Sequence, residues 1–130
     1  MSLTNIDLVR SLYDAFDRRD QAAVAAAMDP EVEFRQTEQL PWGGYYKGFP
    51  DGVHQFFSKL LARIESKVDV ERMWEAGNAV IVVGRTRGRV RDSGKAFDVS
   101  IVHVWTIRNR KVVSFESFID TPEMLSALAH

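Results

Sequence analysis

The stretch from Phe97 to Asp120 constrains this chain more than any other. Two runs, FDVSIVHVWTI and KVVSFESFI, are separated only by Arg108-Asn109-Arg110, and they read as a long antiparallel hairpin. An ordinary surface hairpin keeps one polar face. Here Val, Ile, Phe and Trp occupy both faces of both strands, so the pair requires cover on both sides. A chain of 130 residues can supply it within one domain spanning residues 1–130, since a domain of that size buries about two-thirds of its unfolded surface. One histidine, His103, sits among the hydrophobics, which makes this hairpin the stretch expected to line a site.

The remaining elements follow from periodicity. Thr4 and Asp7 have the spacing of a capping box, and Ile6, Val9, Leu12, Tyr13 and Phe16 share a stripe, so a first helix runs to about Arg18. Asp20 can cap a second, alanine-rich helix over Val24, Ala27 and Met28 that stops at Asp29-Pro30. Residues 31–36 alternate as a strand. Residues 37–48 carry Pro41, Gly43 and Gly44 and read as a loop whose aromatics, Trp42, Tyr45 and Tyr46, fold back over the core or a pocket mouth. Pro50 opens a third helix with an apolar stripe from Val53 to Ile64. From Lys67 four long strands form a meander with turns at Gly77-Asn78 and Asp92 to Lys95. Asp120-Thr121-Pro122-Glu123 then caps a short last helix. The expected class is α+β: α-α-β-α-β-β-β-β plus a C-terminal helix, with the helices on one side of a curved antiparallel sheet.

Turn placement fixes which side chains share a face. Turns centred on Gly77-Asn78 and Ser93-Gly94 put Glu71, Gly84 and His103 in one cross-strand row, with Met73, Val82 and Trp105 beside it. Gly84 then marks a bulge or leaves room for a ligand. A two-residue last turn sets Glu116 beside His103. A three-residue turn sets Ser117 there with Phe115 and Ile119 as neighbours, and is favoured because it keeps the wall apolar. A histidine near a carboxylate on such a wall can act as acid or base; the plainer reading is a core histidine satisfied by hydrogen bonds.

Other features exclude function classes. There is no cysteine, so no disulfide or thiolate site, and a cytoplasmic location is expected. Seventeen basic against eighteen acidic residues give the molecule no general attraction to nucleic acid or anionic membrane. No leader-like or membrane-spanning run is expected from MSLTNIDLVR or beyond. His54, His103 and His130 are scattered, and no phosphate-binding or nucleophile-elbow motif occurs, so neither a metal site nor a cofactor is expected. Arg85, Arg87, Arg89 and Arg91 alternate on the face opposite His103, with Asp98 expected across from Arg89. Mixed with Ile81, Val83, Val102, Val104 and Trp74, they suit a homodimer interface through the outer sheet face.

The order of elements, together with VHVWTIRNRKVVSFESFIDT and the upstream YYKGFPDGVHQFF, resembles the nuclear transport factor 2-like superfamily, in its SnoaL-like, ketosteroid isomerase-related branch. The resemblance spans Thr4 to Leu128 and implies a cone-like (cystatin-like) fold, a deep pocket between sheet and helices, a homodimer and no obligatory metal. Members include isomerases, cyclases, hydrolases and dehydratases as well as non-catalytic binding domains. By this resemblance, the isomerases' general base falls on Gln36, their helix-one tyrosine on Leu12 beside Tyr13, and their proton-donating acid on His103. The cyclases' acid and histidine correspond to Asp120 and His103. The resulting expectation is a small, mainly apolar organic ligand held by Tyr13, Trp42, Phe57, Met73, Trp105, Phe115 and Ser117. Any chemistry would be acid/base work by His103 with Glu71 or Asp120. The alternative is a non-catalytic ligand-binding or protein-interaction module.

Overall fold

Thr4 begins the first helix with both bonds of a capping box, its side chain accepting from the Asp7 N–H and the Asp7 carboxylate accepting from its own N–H. The structure, a computed structural model, describes residues 4–129; His130 lies outside them. In chain order its elements are α1 (Asn5–Arg18), α2 (Gln21–Ala27), β1 (Met28–Gln36), β2 (Gly44–Lys47), α3 (Asp51–Arg63), β3 (Ile64–Ala76), β4 (Ala79–Val90), β5 (Ala96–Arg108), β6 (Lys111–Ile119) and α4 (Thr121–Leu128). Asp20 and Asp120 cap α2 and α4 as their spacing dictates.

The strands form one six-stranded sheet in the order β2-β1-β6-β5-β4-β3. Strands β3 to β6 are the expected antiparallel meander, whereas β1 lies parallel to β6. Strand β2 was hidden in the Gly-rich loop; its Tyr45 and Tyr46 are good strand residues, and pairing of Glu33 with Lys47 and Gln36 with Gly44 stabilises so short a segment. Ile64, the last residue of the helical stripe, is instead extended and opens β3. It is buried in either conformation, so the stripe could not locate the boundary.

The inner sheet face packs against the helices. Phe97, Val99, Ile101, His103, Trp105 and Ile107 alternate along β5 as its buried side and meet a core that includes Val9, Leu12, Phe34, Phe56 and Met124. The outer side of the same strand is half-buried to exposed, and on that face Phe118 of the neighbouring β6 and Trp74 of the edge strand β3 stand 51% and 43% exposed. One chain therefore covers only one face of its most apolar hairpin.

Two glycines shape the sheet. A Cβ at Gly84 would lie 2.2 Å from the Asp69 carbonyl oxygen, and one at Gly88 would lie 1.7 Å from that of Glu65. The space beside Gly84 is thus filled by the β3 backbone and leaves no room for a ligand. Opposite it, the β3–β4 register shifts between Val70 and Arg72, so Glu71 is the extra residue of a bulge.

Candidate functional site

Between α1, α3 and the concave sheet lies a cavity of about 170 Å³. Its position follows from the sequence patterns already described. The α1 stripe sends Tyr13 and Phe16 onto the sheet, α3 contributes Phe56 and Phe57, and the inner faces of β5 and β6 supply Ile101, His103, Trp105, Phe115, Ser117 and Ile119. Exposure orients the cavity. Trp42, Trp105 and Phe115 are buried at its floor, while Leu61 is 43% exposed and, with the side chains of Asp17 and Lys67, marks its mouth.

The floor carries a directed chain of hydrogen bonds. Trp105 Nε1–H can only donate, and it donates to the Tyr13 hydroxyl oxygen at 2.9 Å. That oxygen lies 2.6 Å from His103 Nδ1. Among the described residues no other acceptor lies within reach of the Tyr13 O–H, so it donates to Nδ1, and a neutral His103 then carries its proton on Nε2. The Tyr13 and His103 rings are nearly parallel at 6°, and the Phe115 ring stands edge-on to His103 with centroids 4.9 Å apart.

Burial determines the charge state of both partners. His103 is 8% exposed, and burial lowers its pKa from 6.5 to about 3, so the ring is neutral at ordinary pH. Burial likewise raises Tyr13, offset in part by the Trp105 bond. No hydrogen bond among the described residues involves His103 Nε2, and no buried side-chain nitrogen or oxygen there lacks a partner unless it reaches open space. Nε2–H therefore opens into the cavity. The same reasoning places the Thr86 and Ser117 hydroxyls on the cavity surface; Gln36 also lines the cavity, and its Oε1 is occupied, accepting from Trp42 Nε1–H at 3.1 Å.

Several expected residues lie elsewhere. Glu71, displaced by the bulge, is exposed on the outer face away from His103, near Arg85, whose guanidinium is raised chiefly by its hydrogen bond to Asp98 and in smaller part by Glu71. Asp120 is exposed, its carboxylate accepting from the Glu123 N–H at 3.3 Å as the cap of α4. Met73 pairs with Val82 as expected and packs half-buried against the core without lining the cavity. The β4–β5 register is two residues from the expected one: His103 faces Val82, Trp105 faces Val80, and Asp98 faces Arg87. Because this shift is even, every side chain of β4 and β5 stays on its expected face.

On the other side His103 pairs with Ser117 and Trp105 with Phe115. The turn is nevertheless the two-residue Asn109-Arg110, with both residues at positive φ; a register shift between Thr106 and Ile107 then restores Ser117, leaving Val113 as the extra residue. Tyr13, Trp42, Phe57, Trp105, Phe115 and Ser117 line the cavity, and Leu12, where the family pattern placed its tyrosine, is core. Gln36, the position to which the family resemblance assigned the isomerases' base, lines the cavity as well; Thr86, Asp17 and Lys67 were not singled out, and the even spacing of Thr86 from Val82 is the one signal that could have found it. Among the described residues no cluster of His, Asp or Glu could hold a metal ion, and no helix is long and apolar enough to cross a membrane.

An NTF2-like protein of unknown function from Burkholderia pseudomallei is 32% identical to this chain, with each chain covered fully and a TM-score of 0.89. TerC, co-crystallized with polyporic acid, is 25% identical over 95% of this chain and 97% of its own, with a TM-score of 0.85. A protein of unknown function from Xanthomonas campestris, described as having a cystatin-like fold, shares the fold at 17% identity over 98% of this chain and 100% of its own, with a TM-score of 0.82. No protein of curated function matches. The model of the SnoaL-like domain matches residues 9–115, and on that match the chain belongs to the SnoaL-like domain family.

Proposed function

We propose that the protein binds a small, mainly apolar organic molecule in the cavity, with a hydrogen-bond acceptor of that molecule on His103 Nε2–H. The observation that carries this reading is the chain Trp105 N–H to Tyr13 O–H to His103 Nδ1, which holds a neutral imidazole with its one remaining donor facing a mostly aromatic void. A donor fixed in this way meets an acceptor without reorganisation. The co-crystallisation of TerC with polyporic acid supports an organic occupant for this fold. Acid/base turnover through an imidazolium is disfavoured by the low pKa, and neither Glu71 nor Asp120 faces the ring. Binding is therefore the better-supported activity.

The test uses two molecules of nearly the same shape, acetophenone and ethylbenzene, which differ in the carbonyl. Titration followed by calorimetry or NMR is expected to show both binding, acetophenone roughly 2- to 10-fold tighter, the worth of one net hydrogen bond. Ser117→Leu, which fills the floor, should abolish both. If neither molecule binds the wild-type protein, the cavity is not a ligand site and the interaction-module reading takes its place.

We further infer a homodimer through the outer sheet face. Trp74 and Phe118 lie exposed there beside half-buried Val102 and Val104, and Arg85 and Arg87 pair with Asp98 and Asp69 at their margin. Apolar side chains rimmed by paired charges suit a second copy of the same face.

A further inference from the structure

We propose that the molecule bound in the cavity carries an acidic group at its outer end, which Lys67 receives at the mouth. This inference rests on the ligand-binding reading above and adds the charge of the ligand and the residue that selects it. Among the described residues that line the cavity, only Asp17 and Lys67 are charged, and both stand at its open end. Their side chains are 45% and 65% exposed, against 2% exposure for Trp105 at the floor. The interior therefore offers neutral donors and aromatic rings, and the mouth offers full charge. A ligand that matches this gradient has an apolar body, an acceptor at its inner end and an ionised group at its outer end.

The sign of that group follows from which of the two charges can move. Asp17 has a short side chain, with one carbon between its carboxylate and the backbone of the last turn of α1. Lys67 lies on the edge strand β3, in register with Arg87, and its four-carbon stem reaches to Asp17 with nitrogen and oxygen 3.7 Å apart. At that distance the contact is an ion pair without a hydrogen bond, and so exposed a pair is held weakly. The ammonium has three donors, so it can turn to a ligand carboxylate while staying near Asp17. Glu65, two residues before Lys67 on β3, is engaged by Arg91 at 2.8 Å, and Arg91 also donates to the Leu61 carbonyl, so the negative charge of Glu65 is offset by its own partner. The exposed side chain of Leu61 extends the apolar wall up to the charged pair.

Three probes that differ only in the outer group provide the test: 4-acetylbenzoate, 4-acetylbenzamide and 4-acetylbenzylamine, titrated into the wild-type chain and two variants at low ionic strength by NMR or calorimetry. The wild type is expected to bind the acid 3- to 10-fold tighter than the amide and the amine weakest, on the order of what one partly exposed charge pair contributes. Lys67→Met should bring the acid-to-amide ratio to about 1. Asp17→Asn, which removes the competing carboxylate, should raise it about 2- to 3-fold. An acid-to-amide ratio that Lys67→Met leaves unchanged, or a preference for the amine lost in Asp17→Asn, overturns the proposal while leaving ligand binding intact. Failure of all three probes to bind any form overturns the ligand-binding reading itself, and this proposal with it. Both substituted residues are exposed, so the variants keep the core unchanged, and thermal unfolding of each without ligand checks it.

Discussion

Tyr13 connects two elements that are 90 residues apart in the chain, and its hydroxyl serves Trp105 and His103 together. Tyr13→Phe leaves the Trp105 N–H without its acceptor and His103 Nδ1 without its donor. We expect a loss of about 1–3 kcal/mol in urea denaturation, together with population of the other histidine tautomer. Unchanged stability would mean that the chain of bonds is not formed. His103 itself sets a pH dependence. Its folded pKa, about 3, lies below the ordinary 6.5, so between those values the unfolded chain binds a proton that the folded chain refuses. Stability from this group is complete above pH 6.5 and falls as the pH drops toward 3, at up to about 1.4 kcal/mol per unit. Denaturation of the wild type and His103→Gln from pH 7 to pH 4 should give curves that converge as the pH falls; parallel curves would contradict the buried neutral ring. Histidine on an apolar strand was legible in the sequence as a cavity residue. Its partner was not, because no local pattern says which turn of α1 lies over which strand, and the acidic candidates Glu71 and Asp120 were chosen on register and spacing alone.

The hairpins show what strand patterns can and cannot convey. Alternation fixed which residues face inward, and those faces survive because the β4–β5 register differs from expectation by an even step. The step itself was illegible, since Asp92-Ser93 and Ser93-Gly94 are equally good turn formers. The last hairpin reached the expected Ser117 by a different route, a two-residue turn followed by a bulge at Val113, and no glycine advertises that bulge. Arg110 pays for the route with φ of 62°. Arg110→Gly should stabilise the protein by about 0.5–1 kcal/mol, because Asn-Gly suits a turn with both central residues at positive φ. A loss of stability in thermal unfolding would show that the Arg110 side chain matters more than its backbone. Gly84→Ala works in the opposite direction. Its Cβ meets the Asp69 carbonyl at 2.2 Å, so we expect destabilisation of about 1–3 kcal/mol or more, whereas an open space at Gly84 would make the change nearly neutral.

Among the described residues, the four helices and six strands place an aromatic cavity on the concave side of the sheet and leave the convex side bare. The two-sided hydrophobicity of the Phe97 to Asp120 hairpin has thus been answered on one side by helices and, on our reading, on the other by a second copy. Light scattering should return twice the chain mass, and Phe118→Glu with Trp74→Glu should return the single mass with the fold intact; a wild-type monomer would contradict the inferred dimer. The proton on His103 Nε2 and its place in the cavity are read together by ¹⁵N-edited NMR of the histidine rings during titration with acetophenone. The account predicts that free His103 shows the Nε2-protonated neutral tautomer and that acetophenone shifts its Nε2–H resonance saturably, with ethylbenzene binding but shifting it less. A His103 ring protonated at Nδ1, or resonances unmoved while the ligand binds, would contradict it.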